Sequence, residues 1–305
     1  MEHEVLRHMY RIIDDHFQEK ALNDILKSFI VEIEHKNKAW SDIVLCTHYM
    51  LGGNSPQIYR FAAATELVIL SSDILDDLQD QDQINKPWMQ CSHATALNAV
   101  LAFFVGFIGE LGEHAIHAKT FSEISKIIAR SINGQHKDLY NTTSTVDDYL
   151  TLTREKSGSI FKLACFMGCF SLQCSKELVE QINDLADCIG IIHQIQSDIS
   201  DLLQYQLKSD LHLKRRTLPA IYLLSTNSNP YNPLREFYKG NLPLEHLIKN
   251  EQEYIEAVHS SGCMEYAQVV QAVCIQTAED IWRKLQARSP WKENFRETTY
   301  ASFIR

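Results

Sequence analysis

The stretch Ser71 to Asp82 reads SSDILDDLQDQD and carries the carboxylates of Asp73, Asp76, Asp77, Asp80 and Asp82. At helical spacing Asp73, Asp76, Asp77 and Asp80 stand at i, i+3, i+4 and i+7 and share one stripe. Like charges so placed destabilise a helix unless a cation sits among them. Two readings are open. The stripe is a solvated acidic face, the usual fate of a charge run, or it holds hard divalent cations. Mg²⁺ takes oxygen ligands, keeps several waters and is often shared between one or two carboxylates and a phosphate. On the second reading the stretch holds Mg²⁺ and, through it, a diphosphate. A second acidic pair, Asp198 and Asp201, lies three residues apart on a later amphipathic segment. Two acidic helices facing each other across a bundle core would form a multi-metal site bridged by substrate. Lys156, and Lys214, Arg215 and Arg216 ahead of Thr217-Leu218-Pro219, supply cations for the remaining diphosphate oxygens.

Helices must position these groups. The chain has seven prolines and none between Pro87 and Pro219, which suits long uninterrupted helices. Apolar residues recur at helical period in Val5 to Phe17 and Leu22 to Ile33. Gly52-Gly53-Asn54-Ser55-Pro56 is a turn cluster before the acidic helix, and Lys86-Pro87-Trp88 breaks the chain after it. Further helices are predicted over Ala94 to Leu111, Phe121 to Tyr140, Val146 to Ser157, Gly158 to Cys174 and Leu178 to Gln206. Thr145 with Asp147 marks one helix start. Thr226 to Asn241 reads as loop, with helices at Glu245 to Ser260 and Met264 to Ala287 beyond it. The expectation is a single all-α domain over residues 1–305.

Composition narrows the partners. A net charge of -10 leaves no basic footprint for nucleic acid. The eight cysteines form no CxxC pair and read as buried free thiols in a reducing compartment. With no signal-peptide pattern at MEHEVLRHMY, the expected location is cytoplasmic. Ala94 to Gly109 is apolar but short for a membrane span and carries Asn98, so it reads as a buried core helix. His114, His117, Glu110 and Glu113 read as helix-surface residues rather than a metal site, and His193 as a packed histidine rather than a base.

Together these residues resemble the trans-isoprenyl diphosphate synthase superfamily. Asp76, Asp77 and Asp80 match its DDxxD motif, and Ala64-Thr65-Glu66-Leu67, Ser72 and Ala96-Leu97-Asn98 resemble the segments around it. Gly134-Gln135-His136-Lys137-Asp138-Leu139 matches GQxxDL, and Lys156-Ser157-Gly158-Ser159-Ile160-Phe161 resembles KTGxLF. Gln194 matches the glutamine before the second aspartate motif. Asp210-Leu211 and Arg215-Arg216-Thr217-Leu218-Pro219 resemble DL…GKxTLP. The resemblance implies an isoprenoid-synthase-type helical bundle with a central metal and diphosphate cavity, and a homodimer.

The departures are informative. The superfamily's first glycine pair is followed by a lysine and an arginine that hold isopentenyl diphosphate. Here Asn54-Ser55-Pro56 follows Gly52-Gly53, and the first basic residue is Arg60. The arginine pair after DDxxD is replaced by Asp82-Gln83-Ile84-Asn85-Lys86-Pro87, and Ser197 opens the second motif where an aspartate is usual. A second diphosphate left without cationic partners would bind several kcal/mol more weakly, so the expected acceptor carries none. This pattern resembles the ComQ-type isoprenyltransferases of competence quorum sensing, which prenylate a tryptophan of a peptide pheromone precursor.

The resemblance implies two or three Mg²⁺ ions on Asp76, Asp80 and Asp198, with Asp77 and Asp201 ligating directly or through water. Lys156 and Arg215 would stabilise the departing diphosphate, and Gln194 would help bind it. An allylic cation would form and be captured by an indole. A bulky side chain one turn before DDxxD shortens the prenyl pocket in the superfamily, so Ser71 and Ser72 imply room for a farnesyl chain. Farnesyl or geranyl diphosphate is the expected donor. The alternatives are a short-chain prenyl diphosphate synthase, a class I terpene cyclase and a non-catalytic regulatory subunit.

Overall fold

The computed structural model describes residues 3–34, 39–81, 83–114, 116–204, 210–225 and 232–304, and every regular element among them is helical. In chain order the α-helices are α1 (His3–His16), α2 (Lys20–Glu34), α3 (Trp40–Met50), α4 (Ile58–Asp80), α5 (Pro87–Gln90), α6 (His93–Glu113), α7 (Ala118–Leu139) and α8 (Val146–Thr153). They continue with α9 (Ser159–Cys169), α10 (Lys176–Leu203), α11 (Leu218–Ser225), α12 (Pro233–Tyr238), α13 (Leu244–Leu247), α14 (Glu251–Ser260), α15 (Cys263–Lys284) and α16 (Trp291–Thr299). A π-helical turn, Arg154–Gly158, joins α8 to α9, and a 3₁₀ turn, Ala301–Phe303, follows α16.

α4 is the centre. Its middle stretch, Phe61 to Ser71, is buried at every position, because α1, α3, α6 and α9 surround it. A helix apolar on all sides must lie inside a core. Its last turn emerges into a cavity, so one helix delivers its acidic end from within the core. α10 is the second axis. Its first half packs into the cluster around α4 through Ile182, Leu185, Ala186, Ile189 and Ile192. Its second half, Ile195, Ile199 and Leu202, packs with α11, α12, α14 and α15.

Several ends follow local rules. Thr145 caps α8 by accepting from the Asp148 amide, with Asp148 returning the bond. Ser92 and Ser175 cap α6 and α10 in the same way. α4 stops where Gln81 turns left-handed (φ 54°) and its amide bonds to Asp77.

Three expectations change. No break separates Ser157 from Gly158, because the π-turn carries α8 continuously into α9. The passage expected as loop contains α12, started by Asn232, whose side chain accepts from the Leu234 and Arg235 amides; positions 226–231, like Gln206 and Asp82, lie outside the described residues. α6 is only partly a core helix. It is long and apolar enough to cross a membrane by length and composition, with half of that window buried. Leu97, Leu101 and Val105 are 48%, 63% and 50% exposed along one stripe.

Candidate active site

A cavity of about 650 Å³ opens between the ends of α4, α7, α8 and α10 and the segment leading into α11. Asp76 and Asp80 occupy the final turn of α4, and Asp201 the final turn of α10. Both are helix C-termini, where unpaired carbonyls carry a partial negative charge that favours cations. The acidic groups are thus placed where their own backbone adds to their need for a counter-charge.

Two cations answer it here. Lys156 Nζ lies 2.7 Å from Asp138 and 3.4 Å from Asp76. Burial alone would lower the lysine's pKa, but the charges of Asp76, Asp138 and Asp80 outweigh it and hold the ammonium protonated. Arg215 is buried, donates to the Asp138 carbonyl at 2.8 Å and pairs with Asp80. Even so, burial first and Asp76 second push the Asp80 carboxyl above the usual range.

Close backbone approach places Lys156. A side chain on Gly134 of α7 would begin 2.4 Å from the Lys156 amide nitrogen, and one on Gly190 of α10 would begin 2.5 Å from the Gly158 nitrogen. These glycines let α7 and α10 clamp the π-turn from both sides. Single-turn π-bulges are frequent at functional sites because they re-aim one side chain without breaking the helix. Ser157 of that turn donates to Gln194 Oε1 at 2.8 Å.

The predicted residues divide by what they face. Asp76, Asp77, Asp80, Lys156, Ser72, Gln194, Asp198, Asp201 and Arg215 line the cavity. Ser71 does not; it is buried, with its hydroxyl on the Val68 carbonyl at 2.7 Å. Asp77 sits about 100° round the helix from Asp76, and its Oδ2 accepts from Trp88 Nε1 at 2.7 Å. Asp198, expected as a metal ligand, is engaged by the protein's own donors. It is 2% exposed and takes three donors: Tyr149 at 2.8 Å, the Leu218 amide at 3.1 Å and Gln194 at 2.9 Å. That carboxylate ties α8 and the start of α11 to α10. Burial is the main cause lifting its pKa to about 6. Gln194, expected to meet substrate, instead uses both ends of its amide on Ser157 and Asp198.

Three residues carry no role in the sequence reading. Asp138, the acidic position of GQxxDL, is the nearest partner of Lys156. Tyr149 is buried against Asp198. Asp210 lines the cavity, and burial followed by Asp198, Asp201, Asp138 and Asp80 pushes its pKa up to about 8. Asp210-Leu211 and GQxxDL were visible as patterns, but only folding brings their carboxylates beside Asp80.

The donor set suits Mg²⁺. It is all carboxylate oxygen, and the cavity lining holds more carboxylates than the cations Lys156, Arg215 and Arg216 can offset. The buried Oε1 of Gln135 has no hydrogen-bond partner, while its Nε2 donates to Asp76 at 2.6 Å; it is placed to accept from a metal-bound water. Among the described residues no three ligands converge into a ready-made cage. That fits an ion which keeps its waters and takes part of its shell from a phosphate.

The turn at Gly52–Ser55 is built differently. His48 is buried, its Nδ1 donates to the Gly168 carbonyl at 3.0 Å, and its Nε2 accepts from the Ser55 amide at 3.2 Å. Burial lowers its pKa, so the group is a neutral staple. Arg60 is held by Glu110 at 3.0 Å and Glu113 at 2.8 Å, and Lys86 by Glu32 at 2.6 Å. Glu110 therefore serves a largely buried ion pair and Glu113 an exposed one, and Arg60 does not line the cavity.

Comparison with known proteins follows this geometry. The profile of the Polyprenyl synthetase family matches residues 31–257. The tryptophan prenyltransferase ComQ of Bacillus subtilis subsp. natto (strain BEST195) is 28% identical over 281 residues, covering 91% of this chain and 86% of that one. A geranylgeranyl pyrophosphate synthetase from Pyrococcus horikoshii Ot3 superposes with a TM-score of 0.78 at 18% identity, over 99% of this chain and 95% of that one. A geranylgeranyl pyrophosphate synthase from Corynebacterium glutamicum, complexed with calcium and isoprenyl diphosphate, gives 0.75 at 19% identity, over 96% and 93%.

Proposed function

Because the chain belongs to the polyprenyl synthetase family and is a prenyltransferase, we propose that it moves a farnesyl or geranyl group from an allylic diphosphate to a tryptophan of a peptide. The peptide would be a pheromone precursor in competence quorum sensing. The observation that carries this reading is the asymmetry of the two diphosphate-binding regions. Asp76, Asp80, Lys156 and Arg215 converge in the cavity, whereas the Gly52–Ser55 turn holds a neutral staple and its nearest sequence cations are engaged elsewhere. The similarity to a tryptophan prenyltransferase supports the acceptor.

Asp76, Asp80 and Asp201 are the ligands we assign to two or three Mg²⁺ ions, with Asp210 added, Asp77 acting through water, and Asp198 positioning α10. Bound Mg²⁺ would supply Lewis-acid withdrawal of charge from the leaving diphosphate. Lys156, paired here with Asp76, and Arg215, paired with Asp80, would serve phosphate oxygens where those carboxylates held the metal. Ser72 leaves space beside the prenyl chain. Trp40, Ile160 and Phe161 wall the opposite side and keep water from the cation.

The two apolar clusters share α10, which supports a single domain over 1–305. The exposed Leu97, Leu101, Val105 and Ile108 of α6 support a homodimer packed along that stripe. Eight free thiols support a cytoplasmic location.

The test incubates the protein with farnesyl or geranyl diphosphate, Mg²⁺ and a tryptophan-containing peptide encoded beside its gene. Diphosphate release together with a farnesyl or geranyl mass increment on the peptide is expected. Release that needs isopentenyl diphosphate instead indicates a synthase, release with no acceptor a cyclase, and no release a binding subunit. For the dimer, Leu101→Glu should halve the mass in solution.

A further inference from the structure

We propose that Cys169 and Cys174 form a peroxide-reactive dithiol, a site of reversible modification in which Cys174 attacks the oxidant and Cys169 closes the disulfide. Cys169 ends α9, and Cys174 immediately precedes the cap of α10. Neither lines the cavity, so the site is separate from the prenyl-transfer chemistry.

The chain reverses between the two cysteines. The Leu172 amide donates to the Cys169 carbonyl at 2.9 Å, and the Cys174 amide donates to the Leu172 carbonyl at 3.0 Å. These successive turns return the second cysteine to the first, and the two thiols hydrogen-bond to each other. Cys169 is anchored on both sides. A side chain on the preceding Gly168 would begin 2.6 Å from the Val44 carbonyl oxygen, and the following Phe170 packs edge-on against Phe61 at 4.9 Å. Cys169 is 5% exposed. Cys174 is half-buried and flanked by the exposed Gln173 and Ser175, so a small oxidant meets Cys174 first.

The surroundings give the two thiols different tasks. The hydrogen bond from Cys169 holds the Cys174 thiol down to about 7. The start of α10 adds to this, because a helix N-terminus favours a nearby thiolate. The same hydrogen bond, with burial after it, pushes Cys169 up. Burial also pushes up Cys91, Cys165, Cys188, Cys263 and Cys274. Cys174 therefore carries far more thiolate at neutral pH than any of these. Its sulfur lone pair attacks one oxygen of hydrogen peroxide. The O–O bond breaks, and the other oxygen leaves as hydroxide and takes a proton from solvent. Cys174 is then a sulfenic acid. The Cys169 sulfur attacks it, the S–S bond forms, the S–O bond breaks, and water departs with the Cys169 proton. The two thiols have lost two electrons and the peroxide has gained them. A thiol reductant reverses the change by exchange.

The experiment maps the thiols of the folded, reduced full-length chain. Iodoacetamide at pH 7, followed by peptide mass analysis, should alkylate Cys174 about fivefold or more faster than Cys91, because the gain in thiolate outweighs the lower nucleophilicity of a more acidic thiol. Stoichiometric hydrogen peroxide should give a protein lighter by two hydrogens, with Cys169 and Cys174 joined, and dithiothreitol should restore the starting mass. Cys169→Ser keeps a donor to Cys174 but lacks the second sulfur, so peroxide should carry its Cys174 on to the sulfinic acid. Equal alkylation of Cys174 and Cys91 overturns the proposal. So does a wild-type protein that accumulates Cys174 sulfinic acid without a disulfide, or one that joins a different pair. Both wild-type readouts decide the matter even where the serine variant does not fold.

Discussion

The cavity end of α4 and the Gly52–Ser55 turn lie at opposite ends of one helix and its approach, and they treat charge in opposite ways. At the cavity end the cations pair with groups that a divalent ion would claim: Lys156 with Asp76 and Asp138, Arg215 with Asp80. Such pairs are exchangeable. On the proposed function, each carboxylate would gain a stronger cation and each cation a stronger anion with metal and diphosphate bound. At the turn, Arg60 is paired with Glu110, 2% exposed and remote from the cavity, and His48 is a neutral hydrogen-bonded strut. Removing either partner there leaves a buried group unsatisfied. A count of cations near each region would miss the distinction, because both regions have them. What differs is whether the partner can be replaced.

The largest expected effect breaks the exchangeable side. Lys156→Met should lower Mg²⁺-dependent diphosphate release by about 10²–10³-fold, read as turnover at saturating donor. A loss below about threefold would mean that Arg215 alone carries the departing charge. The same side should cost stability when no metal is present. Burial and four neighbouring carboxylates raise Asp210 from 3.8 to about 8 in the folded protein. An acid whose pKa rises on folding binds its proton more tightly in the native state, so its stabilisation is present at low pH and is lost as pH climbs from the ordinary carboxylate range to about 8. Metal-free protein should therefore lose about 4 kcal/mol between pH 5 and pH 8 from this group. Asp210→Asn should flatten that slope in urea unfolding, and Mg²⁺ with diphosphate should restore more stability at pH 8 than at pH 6.

Much of this was legible in the sequence, and the exceptions have physical causes. α1, α2, α7, α10 and α15 follow their apolar periodicity to within a few residues because each keeps a polar face, and α6 was legible from its long apolar run. α3 escaped notice because Ile43 through His48 are buried without interruption, which erases the period. α12 is six residues long and sits among turn-forming residues, so only its Asn232 cap could have marked it. In the site, Asp76, Asp80 and Lys156 could be read because motif spacing and cavity geometry coincide. The hydrogen-bond partners of Asp198 could not be read from spacing. Asp198 and Asp201 do share a face, but whether a carboxylate meets solvent or Tyr149 depends on α8, 49 residues upstream.

The neutral turn invites the reverse test. Asn54→Lys with Ser55→Arg should add two exposed cations and strengthen binding of isopentenyl diphosphate by about tenfold, one charged hydrogen bond's worth, measured by calorimetry. Unchanged binding would show that the turn no longer faces the cavity at all. The smallest effect is the most discriminating. Arg288, far along the chain, donates its amide to the Met50 carbonyl at 2.7 Å and lays its guanidinium over the turn. A side chain on Gly52 would begin 2.9 Å from it. A cation therefore does approach this region from a segment that the residues around the glycine pair cannot reveal. If the acceptor is uncharged there, Arg288→Ala should change KM for the peptide by less than about twofold, since an exposed charge without a buried partner contributes little. A tenfold rise in KM with kcat unchanged would mean that Arg288 binds an anion of the acceptor in the ground state. The asymmetry would then be a relocation of charge from the turn to the segment between α15 and α16 rather than its loss.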